Sequence, residues 1–274
     1  MRFHTLLALF FFLCPSLGFS AIDLRFTTSD GQNIAATFYP NKLSHQLLIL
    51  APGFAQNKDT IVMSGLCRAV QKTSNALCFD FRGTGQSSGT YVFGAKEFLD
   101  IESILRWAET KFKTVNLLGL SLGAYSAVRA AYEWPELISK LLLVSCPTSI
   151  EDIISTGGPF SDTYYFFTHP NSPELKTGAD WIFRWGSLFD PKPNLKSIAP
   201  KIMVPAAFFS GAADHLVLNS LSREVYVAMA GSKSWDSMSD GDHAEAMYVQ
   251  HPRQFVQWIE TATAQSLDSS SPSK

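Results

Sequence analysis

Cysteine is scarce in this chain. Its 274 residues include four, Cys14, Cys67, Cys78 and Cys146, alongside six histidines. No C-x-x-C and no H-x-x-x-H spacing occurs among them, so the signature of a metal site is missing. An excess of one charge is missing too. Lys and Arg number 22 against 24 Asp and Glu, a formal net charge of -2, which excludes an extended basic surface for nucleic acid. The unbroken apolar stretch at 6–13 is too short to cross a bilayer. What is abundant is apolar side chain, 46% of residues, with 21 Phe, 8 Tyr and 6 Trp. That suffices for one large core, and the length suits a single α/β domain carrying an insertion.

The first twenty residues read as a secretory leader. Arg2 and His4 give a polar start, the 6–13 stretch is the apolar centre, and Pro15 and Gly18 follow it. Gly18 and Ser20 stand three and one before the bond between Ser20 and Ala21, the small-residue pattern of a cleavage site. The expectation is an exported protein, periplasmic, cell-surface or secreted, with a retained membrane anchor as the rival reading. Cleavage removes Cys14 and leaves three cysteines, so at least one thiol lacks an intramolecular partner. Cys67 and Cys78 have the option of pairing in an oxidising compartment. The favoured expectation is three buried thiols acting as small hydrophobes.

Apolar runs then alternate with helical periodicity, the pattern of a mostly parallel sheet wrapped by helices. Strands are expected at 22–28 and 32–39, joined through Ser29-Asp30-Gly31 into an antiparallel edge hairpin. Further strands are expected at 47–51, 76–81, 115–120, 140–146, 202–210 and, weakly, 233–237, with Pro205 interrupting the 202–210 run. Helices are expected at 60–72, capped by Asp59, and at 96–112, 124–132, 219–230 and 244–264. Residues 147–200 break the alternation, with aromatic clusters at 163–168 and 180–185 among several prolines. They are expected to form a cap, about 148–200, over the carboxyl ends of the strands, where open α/β sheets bind ligands. The domain thus spans 21–264, and the serine-rich tail 265–274 is expected to be disordered.

The chemistry centres on Gly119-Leu120-Ser121-Leu122-Gly123, between an apolar strand and a helix-prone run. A serine on a tight strand-to-helix turn holds a strained backbone, so its neighbours must be small. The turn exposes the hydroxyl at a helix N-terminus, which suits a developing oxyanion. Serine also needs a base. His4 lies in the leader, His45 far from the strand ends, His169 in the cap, and His251 beside Pro252 at or near a break in the last helix. His243 sits in the polar loop after the last strand, a position from which an imidazole can reach a serine at the sheet edge. His215 is the other candidate, but it directly follows Asp214, and adjacent side chains rarely face the same partner. The favoured set is Ser121 as nucleophile, His243 as base and Asp214 holding the imidazole tautomer. Asp80, with Arg82 nearby, reads as a structural hydrogen-bond corner, and Asp236, Asp240 and Asp242 as solvated loop charges. An oxyanion hole needs two backbone N–H groups. Leu122, directly after the serine, supplies one. Pro52 has no N–H and Gly53 lets the chain turn, so Phe54 supplies the second, with Ala55 as fallback.

Taken together, Pro52-Gly53-Phe54, the run from Asp80 through Arg82-Gly83-Thr84-Gly85-Gln86-Ser87, Gly119 to Gly123, Gly211 to Asp214 and Asp242-His243 resemble the α/β-hydrolase family over about 45–260. The resemblance is nearest its serine aminopeptidase-like and BEM46-like branch. It implies an α/β-hydrolase fold, a Ser121–His243–Asp214 triad, a structural role for the Asp80–Ser87 turn and no metal, nucleotide or flavin cofactor. It differs at one point: Pro52-Gly53 stands where many members carry His-Gly. The implied activity is hydrolysis of a carboxylic ester with an apolar portion under the cap. Alternatives are a peptidase, thioesterase or lysophospholipase, or a catalytically silent lipid-binding module. Glu151, Asp152 and Asp162 are the acids that an aminopeptidase would use for a substrate ammonium. The expected partner is a small-molecule acyl substrate, with transient membrane contact through the cap.

Overall fold

The computed structural model describes residues 20–54, 56–155 and 190–265. Several sequence expectations lie outside them: the leader before Ser20, Ala55, Asp162, His169, both aromatic clusters of the cap, and the tail beyond Gln265.

Eight strands form one sheet. They are β1 (Ile22–Thr27), β2 (Asn33–Tyr39), β3 (Gln46–Ala51), β4 (Asn75–Phe79), β5 (Thr114–Leu120), β6 (Lys140–Val144), β7 (Ala206–Gly211) and β8 (Lys233–Met238). Their order is β1-β2-β4-β3-β5-β6-β7-β8. β1 and β2 form the expected hairpin and β2 runs antiparallel to β4, while every pairing from β4 to β8 is parallel. A parallel sheet needs both faces covered, which is why β4, β6 and β7 are buried at every position. Alternate residues enter opposite layers. Leu47, Ile49, Leu117 and Phe208 pack on one side with α2 (Glu97–Ala108), α3 (Leu122–Glu133) and the helix Asn219–Ala228. Leu48, Leu50, Leu118 and Phe209 pack on the other with α1 (Ile61–Val70) and the two final helices, Ala244–Gln250 and Pro252–Ala264.

Four expectations are corrected. Thr60, not Asp59, caps α1: its Oγ1 accepts the Met63 N–H at 3.4 Å, while the Asp59 carboxylate pairs with Lys58 Nζ at 2.7 Å. The 202–210 run becomes a strand only from Ala206, because Pro205 cannot donate to the ladder. The last helix is two helices. Pro252 starts the second, and His251 before it leaves helical geometry at φ -132° and ψ 56°. Cys67 and Cys78 are not free thiols. Packing of α1 on β4 brings their Cα atoms to 6.4 Å and they form a disulfide, leaving Cys146 as a buried thiol.

Asp80 is the structural corner expected, but Arg82 is not its partner. The buried Asp80 carboxylate accepts the Lys58 N–H at 2.7 Å and the Gln86 N–H at 2.8 Å. Burial pushes its pKa up to about 6 against these two bonds. Arg82 turns away to Asp100, at 2.7 Å, and to Asp30, at 2.8 Å, tying the β1–β2 turn to α2.

Candidate active site

β5 ends at Leu120 and α3 begins at Leu122, so the chain must turn from strand to helix within Ser121 alone. Ser121 does this at φ 52° and ψ -115°, a left-handed backbone that a side chain adopts only under strain. The flanking glycines are sterically required. A Cβ at Gly119 would lie 2.5 Å from Ala124 Cα, and one at Gly123 would lie 2.2 Å from Ala51 O. The second contact also shows how closely the start of α3 abuts the end of β3. Leu122 is the first residue of α3, whose leading N–H groups have no partner within the helix.

Asp214 follows β7 and His243 follows β8, two neighbouring parallel strands, so both loops leave the same edge of the sheet. His243 Nδ1 lies 3.0 Å from both Asp214 carboxylate oxygens. Asp214 Oδ1 also accepts the N–H groups of Leu216 and Val217, which hold the carboxylate still. Burial would raise the Asp214 pKa, but the charge and hydrogen bond of His243 outweigh it and hold the carboxyl below its ordinary value. For His243 burial opposes protonation and is the largest single effect, but the charge and hydrogen bond of Asp214, with the charges of Glu245 and Asp242, together outweigh it and leave the imidazole above its ordinary value.

Ser121 and His243 are connected less directly. Among the described residues no hydrogen bond joins Ser121 Oγ to the imidazole; such contacts often tighten only with substrate bound. Ser121 N–H donates to Val144 O at 2.9 Å, and the next residue, Ser145, accepts the Ala244 N–H on its Oγ at 3.1 Å. The Ser145 side chain also stands near enough to Asp214 to help lower its pKa. Ser145, at φ 48°, therefore ties the end of β6 to the helix that follows His243, and it borders Asp214. Sequence reasoning missed it, since a lone serine after a strand carries no motif.

The Asp214 carboxylate faces His243, and His215 lies in a different setting. Its side chain is 61% exposed against 14% for His243, and it contacts Asp242 Oδ1 at 3.1 Å. Asp236 lies in β8 rather than in a loop, and it, Asp240 and Asp242 all have side-chain partners. Asp242 also accepts the His243 N–H at 2.7 Å, Asp240 lies 3.5 Å from His251 Nε2, and Asp236 accepts from Trp258 Nε1 at 3.2 Å. His215, His251 and Trp258 are distant in sequence, and only the folded chain brings them to these carboxylates; Asp240 stays 71% exposed.

On the other side of the serine, Gly53 N–H donates to Glu245 Oε1 at 3.0 Å, and Gly53 O accepts the Gln56 N–H at 3.3 Å. Half-buried Phe54 packs 5.7 Å from Phe93 and 6.0 Å from Tyr91, centroid to centroid. Glu151 and Asp152 lie in the short helix Ile150–Ser155, where the Asp152 carboxylate accepts a hydrogen bond from Thr148 Oγ1 and its own N–H donates to Ser149 Oγ. Among the described residues no group of three His, Cys, Asp or Glu side chains is placed to hold a metal, and no helix is long and apolar enough to cross a membrane.

No protein-family model and no curated protein matches the chain. Solved structures do. An esterase of Pyrococcus furiosus, Pf2001, is 21% identical over 91% of this chain and 94% of its own, with a TM-score of 0.72. An esterase of Exiguobacterium antarcticum is 16% identical over 89% of this chain and 100% of its own, with a TM-score of 0.71. XC6422 of Xanthomonas campestris, an α/β serine hydrolase without a lid, is 16% identical over 90% of this chain and 97% of its own, with a TM-score of 0.59. With strand order, parallel pairing and the strained serine turn already in place, these likenesses give the chain its fold: it is an α/β-hydrolase fold.

Proposed function

We propose that this protein is a serine hydrolase that cleaves carboxylic esters with an apolar acyl or alcohol portion. The observation that carries the reading is the pairing of buried Asp214 with part-buried His243, 3.0 Å apart, at the sheet edge where strained Ser121 starts a helix. An imidazole held by a carboxylate on Nδ1 presents Nε2 as a base. Ser121 Oγ attacks the ester carbonyl carbon and its proton passes to His243 Nε2. The oxyanion takes hydrogen bonds from the N–H groups of Leu122 and Phe54. Collapse breaks the bond to the alcohol, which leaves with the proton from Nε2. Water then attacks the acyl-enzyme, gives its proton to the same nitrogen, and the acid departs as Ser121 regains its hydrogen. No cofactor enters this sequence.

The aromatic contacts of Phe54 with Tyr91 and Phe93 support an apolar wall beside the oxyanion loop. The names of the esterase neighbours support ester over other acyl bonds. The Cys67–Cys78 disulfide supports export to an oxidising compartment. The resemblance to the serine aminopeptidase-like and BEM46-like branch, and membrane contact through the cap, belong to the same proposal. Hydrolysis of p-nitrophenyl esters from acetyl to palmitoyl tests it. Turnover is expected in the wild type and absent in Ser121→Ala, with the best chain length measuring the apolar pocket. Equal rates in the two proteins would remove Ser121 from the mechanism.

A further inference from the structure

Glu245 is a carboxyl group buried two residues beyond His243, and the mechanism above does not use it. Burial raises its pKa, and His243 and Asp214 are the titratable neighbours that act on it most. Burying a carboxyl is costly unless it is hydrogen-bonded. Its strongest tie to the rest of the chain is the 3.0 Å bond that Oε1 accepts from Gly53 N–H, spanning 192 residues of sequence. The fit is close: a Cβ at Gly53 would lie 2.3 Å from Oε1. That bond occupies the Gly53 N–H, so it cannot also face an oxyanion. It fixes the peptide that leads into Phe54, while the Gln56 N–H bond to Gly53 O closes the turn from its far side. The other end of Glu245 is the first turn of the helix entered from His243.

We propose that Glu245 is a positioning residue: it locks the oxyanion loop at Gly53 to the helix that carries the catalytic base, so that the Phe54 N–H and His243 are held in one register. This rests on the serine-hydrolase reading. A loop without this bond would misplace a donor, and loss of one oxyanion donor costs roughly 100- to 1000-fold in rate.

Glu245→Gln keeps an oxygen acceptor for Gly53 N–H; Glu245→Met keeps the length and removes it. The rate at which a fluorophosphonate labels Ser121 reads the hole and nucleophile together. Wild type should label quickly. Glu245→Met should label at least about 10-fold more slowly, with Glu245→Gln restoring the rate to within about 3-fold. In ester turnover the Met variant should lose kcat with KM little changed. Met labelling at the wild-type rate overturns the inference, as does Gln falling as far as Met. A wild type that fails to label overturns the hydrolase reading instead. Hydrogen exchange at the Gly53 amide of the wild type needs no variant to fold: slow exchange is expected, and exchange as fast as in an open loop overturns the lock.

Discussion

At Asp214 and His243 two opposing effects meet, and their outcome has a sign that can be checked. Burial favours neutral imidazole, while the Asp214 carboxylate 3.0 Å away, joined by the charges of Glu245 and Asp242, favours imidazolium; together these prevail and the folded pKa stands above 6.5. Protonation thus stabilises the folded state. That contribution is full below the unfolded pKa and is lost as pH rises through the raised folded value. The proposed catalysis runs the other way, since only neutral imidazole would accept the serine proton. The acid limb of kcat/KM should therefore have its midpoint above 6.5. In Asp214→Asn the raising charge is gone, so the midpoint should fall while kcat drops by about four orders of magnitude. A pH–rate profile of both proteins checks this; an unmoved limb in the variant would mean that another group sets it. The residues beyond this pair differ in how far they could be read in advance. Ser121 and Gly123 carry a local pattern because a strand-to-helix turn constrains consecutive positions. Ser145 and Glu245 act through contacts 99 and 192 residues away in sequence, and no local spacing encodes such a contact.

Among the elements, the parallel strands were readable because burial on both faces leaves unbroken apolar runs such as Leu47 to Ala51. Their ends were less so. Phe79 closes β4 two residues before the expected end at Phe81, because Asp80 is drawn into its corner by Lys58 and Gln86. The order of strands was also hidden: β4 lies between β2 and β3, and adjacency across a sheet is decided by crossovers. The Cys67–Cys78 bond belongs here, since it depends on α1 lying against β4. A separation of 11 residues closes a short loop, and restraining such a loop in the unfolded chain is worth about 3 kcal/mol. Replacing both cysteines by alanine should lower the unfolding free energy by about that amount in a denaturant titration. Alkylation in denaturant without reductant should tag Cys146 but neither Cys67 nor Cys78. Tagging of all three would contradict the bond.

For the whole molecule, the fold sets where chemistry can occur. Parallel strands β5 to β8 send their carboxyl ends to one edge, where they deliver Ser121, Ser145, Asp214 and His243. The loop after β3 reaches the same edge, where Gly53 meets Glu245. That convergence was legible in outline, because each of these loops follows an apolar run and the runs appear in order. The single claim on which the rest depends is that Ser121 becomes acylated. The direct measurement mixes the protein with p-nitrophenyl acetate, quenches in acid within the first turnover and weighs the peptides. The account predicts one acetyl group, on the peptide that contains Ser121, disappearing on longer incubation and absent in Ser121→Ala. Ester cleavage with no acetyl group on that peptide, or acetylation unchanged in the variant, would contradict it.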